Sequence, residues 1–181
     1  MNCLSAVKSN IPVTCTLLAL CGGGVFALAQ AVFTEYTGSY KNLGIVSPGV
    51  VECPGGEPTG LWPHGLPCSP GSRFRLRGLV RRWYVQSSDS RVTGQLLTVV
   101  NGNFDGWPGS GRMWGTGRLE VAEGGVWEGI WTGEKTVAGE TVNSVTHGNG
   151  GNIEGLITEE HASNIGQPWT STGRILQPAS K

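Results

Sequence analysis

After residue 31 the chain is interrupted by glycine about every ten residues, and no sustained 3.6-residue apolar period runs between the glycines. Glycine inside a helix costs roughly 1 kcal/mol relative to alanine. A chain that places all but three of its 30 glycines after residue 31 is therefore a poor candidate for long helices. Between the glycines lie short runs rich in valine, threonine and tryptophan, which suit strands. Strands are expected over residues 32–40, 73–87, 91–101, 111–121, 125–136, 140–147, 152–161 and 171–176. This pattern predicts an all-β domain, either a single antiparallel eight-stranded β-barrel or a sandwich. A barrel has the advantage of leaving no exposed edge. Glu123-Gly124-Gly125 and Asn149-Gly150-Gly151-Asn152 supply the positive-φ positions that tight hairpins require.

Residues 1–31 obey different rules. Lys8 is the only charge, residues 11–29 are largely apolar, and the segment ends in Ala27-Leu28-Ala29, the small-x-small pattern read by signal peptidase. The alternative is a membrane anchor, because a stretch of this length nearly spans a bilayer. Pro12, Gly22-Gly23-Gly24 and the small-residue exit favour cleavage. A lipid anchor at Cys21 is disfavoured by the bulky Leu20 before it. The expectation is a signal peptide over 1–31, a domain over 32–181 with no membrane span, and a secreted, periplasmic or extracellular location. Three of the five cysteines leave with the signal, and Cys53 and Cys68 remain. In an oxidising compartment such a pair is most simply a disulfide. It would staple the irregular loop 47–71, which holds six of the ten prolines and looks like a lid over one end of the domain.

Charge identifies no partner, since 13 basic and 13 acidic residues balance. Arg73, Arg75, Arg77, Arg81 and Arg82 are crowded together, which raises the alternatives of a nucleic-acid or headgroup patch and a solvated strand face. In Arg73-Phe74-Arg75-Leu76-Arg77 the apolar residues occupy every second position. Alternation therefore turns Phe74 and Leu76 inward and the arginines to solvent, and no nucleic-acid partner is expected.

The most distinctive run is Gly125-Val126-Trp127-Glu128-Gly129-Ile130-Trp131-Thr132-Gly133. On a strand Trp127, Gly129, Trp131 and Gly133 share one face. Indoles can there pack over the gaps left by glycines, or line a pocket whose few polar groups orient a ligand. Together with Gly111-Arg112-Met113-Trp114-Gly115-Thr116 and Gly148-Asn149-Gly150-Gly151-Asn152-Ile153-Glu154-Gly155-Leu156, this run resembles the bacterial proteins with an allene oxide cyclase-like barrel. These are related in fold to the plant allene oxide cyclases and dirigent proteins, of the calycin type. The resemblance covers residues 73–177. It implies an eight-stranded antiparallel barrel holding an apolar small molecule, with cyclase activity in some members and none assigned in many. Gly125-x-Trp127 also resembles the Gly-x-Trp of lipocalins, but lies too deep in the chain for that family's pattern.

Nucleophile elbows, phosphate-binding loops, dinucleotide fingerprints and zinc motifs are all missing from the sequence. No cofactor and no metal site are expected, and His147 and His161 read as strand-end residues. Glu128 and Glu154 lie in apolar runs and are the candidate catalytic carboxylates, either as a pair facing inward or as solvated residues facing out. Arg112 and Arg118 are their possible partners. Trp114, Trp127 and Trp131 are the candidate ligand-binding residues. Three functions are therefore open: an exported protein binding a small apolar or aromatic ligand, a cofactor-independent cyclase or isomerase, or a structural or interaction protein at the cell surface. An inward, desolvated carboxylate beside a cavity would favour the second, and a filled interior the third.

Overall fold

The computed structural model describes residues 32–54, 60–61, 68, 72–106, 109–166 and 168–178. The expected signal segment and most of the loop 55–71 lie outside the described residues. Among those described, no helix is long and apolar enough to cross a membrane.

Ten strands form one antiparallel sheet: β1 (Val32–Ser47), β2 (Val50–Glu52), β3 (Gly60–Leu61), β4 (Arg73–Ser87), β5 (Gly94–Asp105), β6 (Ser110–Val121), β7 (Val126–Thr136), β8 (Gly139–Asn149), β9 (Ile157–Ser163) and β10 (Thr170–Gln177). Their order is β1-β10-β9-β8-β7-β6-β5-β4-β2-β3, and a further β1–β4 pairing closes the sheet into a ring. Closure is possible because β1 is long enough to serve two neighbours. Its first half, Val32 to Ser39, pairs with β10, and Gly38 to Ser47 pair with β4. Where β1 leaves β4, β2 takes over opposite Arg75 to Arg77.

The eight expected strands are all present, with shifted ends. Arg91 falls in a 3-10 turn (Ser90–Val92) capped by Asp89 rather than in β5. The expected strand 152–161 starts later, because Gly151–Ile153 form a second 3-10 turn. The Gly124-Gly125 hairpin has the expected positive φ angles of 99° and 93°. The β8–β9 connection also uses positive φ, at Gly150, Gly151 and Gly155, but is longer than a tight hairpin. The segment 47–71 is not wholly irregular, since it contains β2 and β3. Val51 of β2 is fully buried against Phe74, Leu76, Leu79 and Phe104, so the described part of this segment seals one end of the ring.

One irregularity changes which side chains face inward. A bulge between Leu76 and Leu79 inserts a residue into β4, with Gly78 at φ 66°. After an inserted residue the inward face moves to the other parity. Leu79, Arg81, Trp83 and Val85 consequently follow Phe74 and Leu76 into the interior. Of the five arginines expected in solvent, Arg73, Arg75 and Arg82 are exposed, and Arg77 is half-buried with its guanidinium on the Leu76 and Gly102 carbonyls, both at 2.8 Å. Arg81 is the exception and turns inward.

Large side chains inside the ring occupy places left open by glycines. A Cβ on Gly115 would stand 2.9 Å from the Trp131 ring and 1.7 Å from the Val99 carbonyl, and one on Gly173 would stand 2.4 Å from Tyr36 Cζ. The core divides into two clusters. One gathers Tyr36, Val85, Val92, Leu119, Trp127 and Ile153, and the other lies around Phe74, Phe104, Met113 and Trp131 beneath Val51.

Cys53 and Cys68 are joined by a disulfide with Cα atoms 5.6 Å apart and a sequence separation of 15. Closing a loop of this size removes unfolded-chain entropy worth about 3 kcal/mol. Reduction of the full chain should lower its thermal midpoint by roughly 6–12 °C. An unchanged midpoint with two titratable thiols would show that the staple contributes nothing to stability.

Candidate functional site

The two clusters are separated by a belt of short side chains. Cross-strand pairing aligns Thr98 with Gly117, Gly117 with Gly129, Gly129 with Thr146, and Thr146 with Thr158. None of these residues reaches far into the interior, and a cavity of about 200 Å³ remains there. Its walls are mostly apolar. Tyr40, Trp83 and Trp169 meet edge-on with ring centroids 6.0–6.4 Å apart, and Trp127 and Trp131 line the space from β7. The indole N–H groups bind within the protein: Trp83 Nε1 donates to Thr98 Oγ1 at 3.1 Å, Trp127 Nε1 to the Arg91 carbonyl at 2.6 Å, and Trp131 Nε1 to the Thr116 carbonyl at 3.2 Å. With their polar handles occupied, these three indoles offer apolar surface to whatever enters.

Few ionisable groups face this space. Glu160 projects inward from β9, and the Tyr40 hydroxyl donates to its Oε1 at 2.5 Å. Burial pushes the Glu160 carboxyl above the ordinary carboxylate range, more than the nearby Ser171, Tyr40 and Ser144 hydroxyls lower it. Ser171 Oγ is itself buried and forms no well-aligned hydrogen bond, although it lies near enough to Glu160 to act on it. Tyr40 is pushed up in turn by burial and by the neighbouring carboxyl, so it holds its proton and serves as a donor. At another pole of the cavity Lys135 Nζ pairs with Glu140 Oε1 at 3.1 Å, their side chains 19% and 21% exposed. Arg81 lies against the face of Trp83, its guanidinium carbon 4.2 Å from a ring centroid. An outer depression beside Cys53 and Pro54 also has Phe74, Phe104 and Lys135 among its lining residues.

Of the candidates named from sequence, Trp127 and Trp131 line the cavity, as the alternation on β7 requires. Trp114 does not join them. It is on the outer face, 37% exposed, with Arg77 5.2 Å from its ring centroid. Glu128 is also outside, ion-paired with Arg118, and Arg112 is exposed. Glu154 is exposed in the β8–β9 connection, where it accepts from the Gly150 N–H. Neither glutamate reaches the interior, so they form no inward pair. The alternation of Trp127, Gly129 and Trp131 had already put Glu128 on the opposite face.

Sequence reasoning passed over Glu160 and Tyr40 as site residues and expected Arg81 in solvent. The signal at Glu160 was weak, because Ile157-Thr158-Glu159-Glu160-His161-Ala162 carries polar residues on both faces. Tyr36-Thr37-Gly38-Ser39-Tyr40 was more legible, with both tyrosines and a glycine on one face. His161 is exposed, with Nδ1 2.9 Å from Asn143 Oδ1, and His147 is exposed as well. Among the described residues no three His, Cys, Asp or Glu side chains gather as a metal site would need. Compared with protein-family models, curated proteins and solved structures, the chain matches none.

Proposed function

We propose that the chain forms a calycin-like barrel of the allene oxide cyclase-like type and binds a small apolar or aromatic molecule in its interior. The observation that carries this reading is the indole- and tyrosine-lined cavity of about 200 Å³. An engineered apolar cavity of about 150 Å³ is large enough to bind benzene, whereas drug-sized ligands occupy roughly 300–1,000 Å³. The occupant is therefore of one-ring size. The closed ring of long antiparallel strands and the pairing of aromatic side chains with glycines agree with the family resemblance. The apolar first segment and the disulfide support export to an oxidising compartment. A structural or interaction role, which would go with a filled interior, is less well supported.

Gly117 provides the test. A Cβ there would meet only Leu96 Cδ1, at an ordinary 3.6 Å, so a larger side chain projects into the cavity without forcing the backbone. Tryptophan fluorescence of the full chain, titrated with one-ring apolar probes such as indole and toluene, should change saturably at one site per chain. Gly117→Leu should remain folded and lose the response. If no probe binds, or Gly117→Leu binds as well as the parent, the interior is not the ligand site.

The second reading, a cofactor-independent cyclase or isomerase, is favoured by one observation. Glu160 is a desolvated carboxyl beside the cavity, suited to moving a proton to or from a bound molecule. It requires a substrate whose turnover disappears in Glu160→Gln while binding persists.

A further inference from the structure

Arg81 is an inward-facing cation with donors to spare. The bulge at Gly78 turns it inward, where it lines the cavity. Among the described residues its guanidinium makes no hydrogen bond or ion pair, and its one specific contact is the face of Trp83. A guanidinium carries five N–H donors and stays charged in proteins, and a ring face satisfies none of those donors in the plane. Half-buried at the cavity wall, these donors are open to an acceptor supplied from outside the chain.

The charges around it indicate what that acceptor is. Lys135 on β7 is held by Glu140 on β8, and Glu140 also acts on Arg81 through space. Glu160 on β9 is engaged by Tyr40 on β1, and burial favours its uncharged form. Lys135 and Glu140 offset each other, which leaves the Arg81 charge without an ion pair of its own among the described residues. That balance suits a monoanion. A planar carboxylate matches the guanidinium fork with two parallel hydrogen bonds, and the low polarity of the walls strengthens them.

We propose that Arg81 anchors the carboxylate of a compact, one-ring carboxylic acid whose apolar body lies in the indole-lined cavity. This deepens the proposed ligand-binding function and rests on it. A cavity of about 200 Å³ suits a molecule of this size, and the partly exposed Lys135–Glu140 pair lies at its wall.

The test compares two probes of nearly equal shape, 3-phenylpropanoate and the neutral 3-phenylpropan-1-ol, by calorimetric and fluorescence titration of the full chain near pH 7. The carboxylate should bind roughly 10–100-fold more tightly, the range expected for hydrogen bonds to a charged group. In Arg81→Gln the preference should fall to within about threefold while the alcohol keeps its affinity. Arg81→Lys, which retains charge but not the fork, should keep part of the preference. Equal binding of the two probes to the unaltered chain would overturn the carboxylate proposal and leave the apolar cavity standing. A preference that survives in Arg81→Gln would place the anion on another cation and overturn it too. Failure of both probes to bind would overturn the proposal together with the ligand-binding reading beneath it. The first comparison needs no variant, so a poorly folding Arg81→Gln does not prevent a decision.

Discussion

Replacing Trp127 by alanine is expected to cost about 4 kcal/mol of folding stability, as truncation of a large buried aromatic does. The side chain is 1% exposed and packs in the cluster with Val92, Leu119, Val121 and Ile153. Two losses combine: the apolar contacts of the indole, and the 2.6 Å hydrogen bond to the Arg91 carbonyl, which ties the 3-10 turn before β5 to the interior. Trp114 is the control. Its indole is 37% exposed on the outer face, so Trp114→Ala should cost less than about 1 kcal/mol. Equilibrium urea unfolding of the two variants beside the unaltered chain measures both effects. Equal losses in the two variants would mean that Trp127 does not occupy the core.

The second large effect is a pH dependence carried by Glu160. Its folded-state pKa is raised above the ordinary 4.5 chiefly by burial, so between these two values the native state holds a proton that the unfolded chain has released. Linkage then makes stability fall as pH rises across that window, at up to about 1.4 kcal/mol per pH unit for one proton. The Glu160 contribution is fully present below the ordinary glutamate value and is lost as pH climbs through the folded value. Asp89 acts in the opposite sense at the acidic end. Its hydrogen bonds with Arg91 hold it below its usual 3.8, so its contribution disappears as pH falls. Glu160→Gln keeps the shape and the oxygen that accepts from Tyr40 but cannot ionise. Its stability should equal that of the unaltered chain near pH 4 and exceed it increasingly toward neutrality. Parallel profiles for the two chains from pH 4 to pH 8 would show that Glu160 does not titrate from a buried position.

Part of this arrangement was legible in the residues. The glycine spacing located the eight strands, although β1 runs seven residues past its expected end at 40 and β9 starts five residues late, because glycine and the β-branched and aromatic runs act locally, on each segment's own backbone. The inward pairing of Trp127 with Trp131 was also legible, since period-two alternation needs nothing beyond the strand itself. Glu160 was not. Its strand carries polar residues on both faces, and only the neighbours on β8 and β10 decide which of Glu159 and Glu160 turns inward. Glu159 lies outside, paired with Arg174 at 2.5 Å, whereas Glu160 meets Tyr40 from a strand 120 residues away in sequence.

Arg81 marks the division most clearly. Alternation read from Arg73 puts every second residue of β4 in solvent and would leave Arg81 there. The extra residue at Gly78 reverses the parity, and that bulge lies where β4, paired with β5 on one side, passes from β1 to β2 on the other. The sequence by itself determined the strand class, the approximate boundaries, the cysteine pair and the aromatic face of β7, all of which depend on local conformational preference. Ring closure, the inward turn of Arg81 and the burial of Glu160 were decided only by the tertiary structure. Each depends on register between segments far apart in the chain, and register is set where strands meet.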